Sequence, residues 1–321
     1  MKRFGHLLES IISYDNIRLA YLKALRGSSH SSGAVLFASD LNCNLESLRS
    51  DFASGTYRML PYSRFVIRDP KERLISAADF RDRVAHHAIM NVLEPVLERR
   101  QIFHSYACRK GKGSHAAVRA LFGKCRFGML FLKLDIRKYF DSVDHRLLLS
   151  MLERIIKDRA VMRILESIIG SYHTVPDKGL PIGNLTSQHF ANLYLSSLDH
   201  YVLEHSRPSF YVRYMDDMVI LERSRSLLRS CLGEISHFVS VCLDLSLKQP
   251  VINSVGSGIP FLGYLVSLNS VGLLGRSKRR KFAKLEEIDC LYESGEISFE
   301  QAMIRRDSVE EYRNHLVSAL S

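Results

Sequence analysis

Apolar positions recur at helical spacing in several parts of the chain. The stretch Leu7–Ile12 carries one such stripe, which predicts a helix up to about residue 25. The same spacing predicts further helices, over residues 40–55, 79–100, 142–157, 185–205 and 224–243 and from about residue 276 onward. Glycine-containing stretches at 27–33 and 179–184 interrupt the pattern, so we expect loops there.

Shorter apolar runs lie between these helices and predict strands. They are residues 128–136, 210–214, 218–222 and 259–266, with a basic strand-like stretch at 58–68 that ends in a turn at Asp69–Pro70. The runs at 210–214 and 218–222 flank a tight turn. A few strands among many helices indicate the α+β class, with a small antiparallel sheet. The length of 321 residues predicts about two packed units.

The charge balance is basic and narrows the choice of partners. Lys and Arg number 45 against 34 Asp and Glu, which gives a net charge of +11 and a pI near 9.4. Such a surplus favours a polyanionic partner, because each phosphate contact releases a counterion. Charge alone leaves open a basic protein that has no such partner.

The cysteines and the apolar runs bear on location. Six cysteines are scattered without a C-x-x-C pair, which argues against a zinc site or a redox motif. Reduced thiols of this kind are typical of a cytoplasmic protein. Glu9 interrupts the apolar part of a signal peptide, and the longest apolar stretch is too short to cross a bilayer. We therefore expect a cytoplasmic protein with no membrane partner.

Two adjacent carboxylates, Asp216 and Asp217, lie in the turn between two apolar strands. Successive side chains of a strand point to opposite faces, so one aspartate should bind an ion and the other should support it. Burying two carboxylates beside apolar strands is costly unless a cation neutralises them. Surface turns also favour Asp, so the pair by itself does not decide between a metal site and an ordinary turn.

Asp135 strengthens the metal hypothesis, because it ends an apolar strand just before a helix. Asp135 and Asp216 could then share two divalent cations, one activating a nucleophile and one stabilising the leaving group. Mg²⁺ is expected, since it prefers few carboxylates plus substrate phosphates, and Mn²⁺ can substitute for it. Asp135 alone could also be a helix cap or turn residue. Asp141 and Asp144 fit that structural interpretation better, since both lie at the start of the next helix.

With these residues in view, the chain resembles the polymerase region of reverse transcriptases over about residues 40–285. Residues 64–90 resemble the fingers block, and LDIRKYFDSVDH, GLPIGNLTSQHFANLYLSSLDHYV and RYMDDMVIL resemble the first three palm motifs in order. LSLKQ and FLGYLV resemble the last two palm motifs. The resemblance implies a right-hand polymerase, with an N-terminal segment and fingers in 1–127, a palm in 128–275 that has fingers residues interleaved near 150–180, and a short helical thumb in 276–321.

The resemblance also implies catalytic roles. Asp135 and Asp216 match the metal ligands, Asp217 matches the third carboxylate of the catalytic, metal-binding set, and Ile136 matches the residue whose backbone carbonyl adds a metal ligand. Lys248 matches the lysine that protonates departing pyrophosphate as a general acid. The activity implied is RNA-directed DNA synthesis by two-metal nucleotidyl transfer, with template RNA, a primer or cDNA and deoxynucleoside triphosphates as partners.

Further residues match contacts to the nucleotide and the primer. Phe140 matches the bulky gate that excludes a ribose 2′-hydroxyl, although plain core packing would also explain a phenylalanine there. Arg73 matches the fingers arginine over the triphosphate, and Arg68 and Lys71 are supporting candidates that could equally belong to a solvated basic loop. The second palm motif contributes Ile182 and Gln188 to this set. The four residues matching the primer grip are Phe261, Leu262, Gly263 and Tyr264.

Two segments indicate a subtype. GLPIGNLTSQ and SYACRKGKGSHAAV, at 105–118, resemble reverse transcriptases of diversity-generating retroelements, which copy RNA with errors at adenines and act with a small basic accessory protein. Ile182 stands where many faithful relatives carry a polar residue, which could relax base selection. Retron enzymes usually carry Y-A-D-D rather than Y-M-D-D, which counts against them, while phage-defence and group II intron-type enzymes are alternatives.

Two other classes compete with this interpretation. A non-catalytic RNA-binding relative would keep the fold and lose a metal ligand, whereas Asp135, Asp216 and Asp217 are all present. An RNA-dependent RNA polymerase would need a small or polar gate, which Phe140 disfavours.

Overall fold

The structure is a computed structural model that describes residues 3–68 and 72–317, with side chains described as far as Val309. The chain forms two compact units, each assembled from three separate segments. The first unit comprises residues 1–102, 136–200 and 236–246, and the second comprises residues 103–135, 201–235 and 247–321. Within the described residues, no helix is both long enough and apolar enough to span a bilayer.

The helices, numbered in chain order, account for most of the regular structure. They are α1 Leu7–Ile11, α2 Tyr14–Leu25, α3 Ser32–Ser39, α4 Leu41–Ser54, α5 Phe80–Glu98, α6 Ser114–Phe122, α7 Tyr139–Ser142, α8 His145–Glu153, α9 Arg159–Gly170, α10 Leu185–Tyr201, α11 Arg225–His237, α12 Gly275–Glu293 and α13 Phe299–Val317. Short π-helical turns extend α10 through Ser206 and α11 through Cys242.

Nine strands form three antiparallel sheets among the described residues. They are β1 Ser63–Arg68, β2 Glu72–Ala77, β3 Leu130–Asp135, β4 Phe210–Tyr214, β5 Asp217–Glu222, β6 Val251–Ser254, β7 Ile259–Phe261, β8 Tyr264–Val266 and β9 Val271–Leu273. β1 and β2 pair as a hairpin, β4, β5, β3 and β6 form a four-stranded sheet in that order, and β7, β8 and β9 form a three-stranded sheet.

The first unit is mainly helical. Helices α2 and α5 pack on each other through buried positions that include Ile17, Ala20 and Val84. Asp82 is buried in α5 and accepts hydrogen bonds from the Tyr57 hydroxyl at 2.9 Å and the Leu60 amide at 2.8 Å. These bonds fix the chain that leads into the β1–β2 hairpin, whose first strand is exposed along its whole length.

The second unit contains the two larger sheets and one continuous apolar core. Phe131, Val212 and Val219 from the four-stranded sheet share that core with Phe261 and Tyr264 from the three-stranded sheet. Helices α12 and α13 carry a small core of their own, formed by Ile288, Ile297 and Ala302. The division of the chain into fingers, palm and thumb stays a prediction.

The structure confirms the α+β class and several elements. The predicted strands at 128–136, 210–214 and 218–222 correspond to β3, β4 and β5, and the predicted helix at 79–100 corresponds to α5. The predicted single strand at 259–266 is wrong, because Leu262 and Gly263 both have positive φ and reverse the chain between β7 and β8. The predicted first helix is two helices, since α1 ends at Ile11 and Ser13 caps α2. The predicted turn at Asp69–Pro70 lies outside the described residues.

Candidate active site

Three aspartates meet where strands of the four-stranded sheet end. β3 ends at Asp135 and β5 begins at Asp217, and the antiparallel register pairs these two residues directly. Asp216 lies in the two-residue turn between β4 and β5, because Tyr214 pairs with Asp217 across that hairpin. The apolar residues of β3 and β5 are buried within the sheet. The aspartates of these strands lie at the strand ends, outside the buried apolar stretch.

The turn that presents Asp216 is held in an unusual backbone conformation. Met215 has a φ of 51°, and two-residue hairpin turns require such a positive φ. For a residue with a side chain, this conformation costs on the order of 1 kcal/mol. The fully buried guanidinium of Arg213 donates a hydrogen bond from Nη1 to the Met215 carbonyl at 3.1 Å. Arg213 therefore fixes the position of the turn.

Each of the two cross-strand partners forms an ion pair with a lysine. Lys133 Nζ lies 2.5 Å from Asp217 Oδ1, and Lys248 Nζ lies 2.6 Å from Asp135 Oδ1. The Lys248 amide also donates to the Asp135 carbonyl at 2.8 Å, so this segment is fixed beside β3 by its backbone as well. Burial raises the pKa of Asp217, while Lys133 acts in the opposite direction.

Asp216 differs from its neighbours because burial and a second carboxylate act on it together. Burial is the main cause that raises the pKa of Asp216 to about 6, and the nearby charge of Asp135 contributes to this rise. Lys248 lowers this pKa, but its effect is the smaller one. Asp135 and Asp216 therefore form a close pair of acids whose charged forms repel each other.

The carboxylates of the aspartates are suitable ligands for a hard divalent cation, although their arrangement does not form a complete metal site. Among the described residues, no three His, Cys, Asp or Glu side chains are grouped closely enough to hold a metal ion. Asp135 and Asp216 nevertheless supply carboxylate oxygens, which Mg²⁺ prefers. A cation between them would relieve the repulsion that raises the pKa of Asp216.

Sequence reasoning identified the three aspartates and Lys248 but missed two other basic residues. Lys133 interrupts the apolar run LFLKLD, and Arg213 interrupts FYVRY. A single cation inside an otherwise buried strand is costly unless it is paired, so each could have been recognised as the partner of a buried acceptor.

The residues expected to contact the nucleotide lie in the first unit. The loop at 179–184 is hydrogen-bonded to both α7 and β2. The Leu180 amide donates to the Phe140 carbonyl at 2.7 Å, and the Ser76 amide donates to the Ile182 carbonyl at 3.1 Å. Phe140 in α7 and Ile182 in the loop are both half-buried, so part of each side chain is accessible. Ile136, which follows β3, is fully buried, so only its backbone could serve a ligand.

The β1–β2 hairpin carries the predicted arginines. Arg73 is exposed on β2, opposite Ile67 of β1. Arg68 is exposed and forms an ion pair with Glu72 at 3.5 Å. Lys71 lies outside the described residues. Gln188 is half-buried in the first turn of α10.

The four residues predicted as a primer grip form the tight turn between β7 and β8. Phe261 and Tyr264 are buried in the core of the second unit, whereas Leu262 and Gly263 are partly exposed. The Lys133 ammonium lies 5.6 Å from the centre of the Phe261 ring, and the Leu262 amide is a hydrogen-bond partner of Asp217. The turn is thus attached directly to the aspartate cluster.

Comparison with known families gives one match that covers most of the chain. Residues 68–264 match the family described as "Reverse transcriptase (RNA-dependent DNA polymerase)". This range includes the three aspartates, both lysines of the ion pairs and the β7–β8 turn.

Individual relatives are more distant. Protein YkfC of Escherichia coli is 26% identical, with 76% of this chain and 78% of that protein covered. The group II intron-encoded protein LtrA of Lactococcus lactis is also 26% identical, but the alignment covers 63% of this chain and only 36% of LtrA. The solved telomerase from Candida albicans, in complex with a fragment of telomeric RNA, has a TM-score of 0.49 at 13% identity, covering 83% of this chain and 56% of that one.

Proposed function

The chain belongs to the reverse transcriptase (RNA-dependent DNA polymerase) family, and from that premise we propose that it copies RNA into DNA by two-metal nucleotidyl transfer at Asp135 and Asp216. The observation that carries the mechanism is the close approach of two carboxylates, Asp135 at the end of β3 and Asp216 in the β4–β5 turn, where burial and the charge of Asp135 raise the pKa of Asp216 to about 6. Such a pair favours a divalent cation over two free charges.

The chain would hold the metal through the carboxylates of Asp135 and Asp216 and the backbone carbonyl of Ile136. When bound, two Mg²⁺ ions would activate the primer hydroxyl and stabilise the charge on the leaving pyrophosphate. Asp217 stays paired with Lys133 and fixes the start of β5. Lys248 is a cation beside Asp135 and would act as the general acid that donates a proton to pyrophosphate.

Asparagine variants test the carboxylate assignment. Asp135→Asn and Asp216→Asn should each abolish primer extension on an RNA template, because the amide keeps the shape and loses the charge. Asp141→Asn is the matched control, since Asp141 lies in the same motif and no side-chain partner of it is seen among the described residues. Normal extension by either of the first two variants would exclude the two-metal assignment.

The proposed substrates follow from the residues of the first unit. Phe140 would exclude the ribose 2′-hydroxyl, Arg73 would contact the triphosphate, and Ile182 and Gln188 would lie beside the forming base pair. Arg68, Lys71 and the turn at Leu262–Gly263 would contribute further contacts to nucleotide and primer. The proposed partners are template RNA, a primer or cDNA, and deoxynucleoside triphosphates.

For the subtype we propose the error-prone enzyme of a diversity-generating retroelement, acting with a small basic accessory protein. The support is the motif GLPIGNLTSQ with Ile182 as an apolar residue beside the nucleotide. A lost polar contact there removes about 0.5–1.5 kcal/mol of discrimination, and a factor of ten corresponds to about 1.4 kcal/mol. Sequencing cDNA made on a defined RNA by the wild type and by Ile182→Gln tests this. Equal, low error at all four template bases in the wild type would exclude it.

A group II intron-type enzyme is the second candidate. It is favoured by the similarity to LtrA, a group II intron-encoded protein, over 219 residues. This candidate predicts faithful copying at template adenines in the same sequencing experiment, so one data set separates the two. A phage-defence or retron enzyme gives the same fidelity result and differs only in the RNA that it copies.

A further inference from the structure

A cavity of about 850 Å³ opens in the first unit, where the N-terminal segment meets the end of α8 and the start of α9. Five of its lining residues are cations: Arg3, Arg154, Lys157, Arg159 and Arg163. Only two acidic residues, Glu153 and Glu166, line it with them. The cavity therefore carries a formal surplus of positive charge.

All five cations are exposed, and their charges are not neutralised within the part of the chain that the structure describes. None of them lies in an ion pair among those residues, although Arg3 donates a hydrogen bond from Nη2 to the Ile156 carbonyl at 2.9 Å. Arg146, on the same helix as Glu153, shows the contrasting case, because it pairs with Asp177 at 2.7 Å. The cavity cations remain available to an outside anion.

The backbone holds this arrangement in place. The Phe4 amide donates to the Ile155 carbonyl at 2.8 Å, and the Lys157 amide donates to the Phe4 carbonyl at 2.6 Å. The Leu8 amide donates to Asp158 Oδ2 at 3.1 Å, and Asp158 also caps α9. Arg3 and the four cations of residues 154–163 are thus held near each other by hydrogen bonds between the two chain segments, which reduces the ordering cost of binding an anion.

Two of the cations occupy positions that are unfavourable for the stability of helix α9. Arg159 and Arg163 are four positions apart in the N-terminal half of α9, so they lie on one helical face and repel each other. The positive end of the helix dipole adds to this cost. A bound polyanion would offset both effects.

We propose that this cavity binds backbone phosphates of RNA, at a site built from residues other than those assigned to metal, nucleotide or primer. The lining includes no aromatic side chain, so it offers charge to phosphates rather than a stacking surface to bases. Its volume suits several phosphates of one strand better than a single ion. The choice of RNA over other polyanions rests on the proposed function.

The proposal is tested by the salt dependence of RNA binding, which reports the number of phosphate contacts that the protein makes. The triple variant Arg154→Gln, Arg159→Gln, Arg163→Gln is compared with a charge-conserving triple of Arg→Lys at the same positions. A third triple, Arg18→Gln, Arg225→Gln, Arg229→Gln, removes three exposed cations elsewhere on the chain. The dissociation constant for a single-stranded RNA is measured from low to high salt, with EDTA and without nucleotides.

We expect the Gln triple to reduce the slope of log affinity against log salt by about 2, since each phosphate contact on a single strand contributes about 0.7. The same relation predicts a loss of affinity on the order of a hundredfold near 0.1 M salt. The Lys triple and the control triple should keep the wild-type slope. If the Gln triple does not fold, single Arg154→Gln and Lys157→Gln variants should each reduce the slope by about 0.7.

An unchanged slope in the Gln variants, or an equal loss in the Lys triple, would overturn the proposal. So would displacement of the RNA by an equimolar free nucleoside triphosphate, which would identify a nucleotide site instead. The binding assay involves no DNA synthesis, so its outcome is independent of the Asp135→Asn extension experiment. Failure of the catalytic assignment and failure of the phosphate site are therefore separate results.

Discussion

Asp217 is a largely buried carboxylate that forms an ion pair with Lys133. Burial raises its pKa and Lys133 acts in the opposite direction, so the ammonium of Lys133 favours the charged form of Asp217 beside the apolar strands. Lys133→Met should raise the pKa of Asp217 further while keeping the length of the side chain. We expect a loss of about 1–3 kcal/mol in the free energy of unfolding near neutral pH, less than for a fully buried pair because both side chains are about one-fifth exposed.

The sign of the pH dependence follows from the raised pKa. A carboxyl whose folded pKa lies above its unfolded value opposes folding increasingly as pH rises from the unfolded to the folded pKa. The loss in free energy of unfolding of Lys133→Met, relative to the wild type, should therefore be larger near pH 7.5 than near pH 5. Urea unfolding in EDTA measures it. The double variant Lys133→Met, Asp217→Asn should lose this pH dependence, and a deficit independent of pH in the single variant would contradict the assignment.

Phe140 is the residue on which the choice of sugar should depend. Its half-buried ring lies in α7, and its carbonyl accepts the Leu180 amide, so the backbone at this position is fixed by the 179–184 loop. Phe140→Ala should allow incorporation of ribonucleotides, because it opens space where a 2′-hydroxyl would clash. The measurement is extension of one primer–template with each type of nucleotide.

Phe140→Tyr is the matched control, since it keeps the ring and should keep the preference for deoxynucleotides. An unchanged preference in Phe140→Ala would place the gate at another residue.

At the scale of elements, Gly183 is the residue at which the 179–184 loop packs closely against β2. Its φ is 109°, and a Cβ there would lie 2.8 Å from Ile75 Cγ2. Gly183→Ala should destabilise the first unit by about 1–3 kcal/mol, because it combines a strained backbone with a steric clash. Thermal or urea unfolding measures the change.

Gly233 in α11 provides the opposite case for comparison. Nothing lies within 4 Å of a Cβ built there, so Gly233→Ala should stabilise the protein by about 0.5–1 kcal/mol. A neutral Gly183→Ala would show that the loop does not depend on this close approach to β2.

Most elements with a clear apolar period could be predicted from the sequence, although α9 was not, whereas elements fixed by a few backbone angles could not. β3, β4 and β5 follow from their apolar runs, and the strand ends bring Asp135 and Asp216 together as expected. The break between β7 and β8 was missed, because an apolar run does not reveal the positive φ of Leu262. Helix α3 was missed because its start, SG, continues a serine-rich stretch that is typical of a loop.

The partners of the aspartates were only partly predictable. Lys248 was found through its motif. Lys133 was not, because the sequence of β3 shows a charged residue within an apolar strand but does not show which residue it contacts. That partner depends on register, which pairs Lys133 with Val219 and brings the lysine within reach of Asp217. Register between strands so distant in sequence cannot be derived from local pattern.

At the scale of the whole molecule, the cysteines should report on folding of the second unit. Cys125 and Cys231 are buried there, and burial raises the pKa of both thiols, that of Cys125 to about 11. Cys43, Cys242 and Cys290 are exposed. Near pH 8 a thiol-reactive dye should label the exposed three quickly and the buried two only after unfolding, because the thiolate is the nucleophile.

Peptide mapping by mass spectrometry identifies the labelled positions. Rapid labelling of Cys125 or Cys231 in the native protein would contradict the described core.

The order of strands in the four-stranded sheet has a consequence for synthesis of the chain on the ribosome. Lys133 and Asp217 are 84 positions apart, and Asp135 and Lys248 are 113 positions apart. At about 5–20 residues per second, Lys133 precedes Asp217 by roughly 4–17 s, and Asp135 precedes Lys248 by roughly 6–23 s. Until β5 emerges, the apolar residues of β3 have neither neighbouring strand, and until β6 emerges they lack one, so the nascent chain is prone to aggregation during this interval.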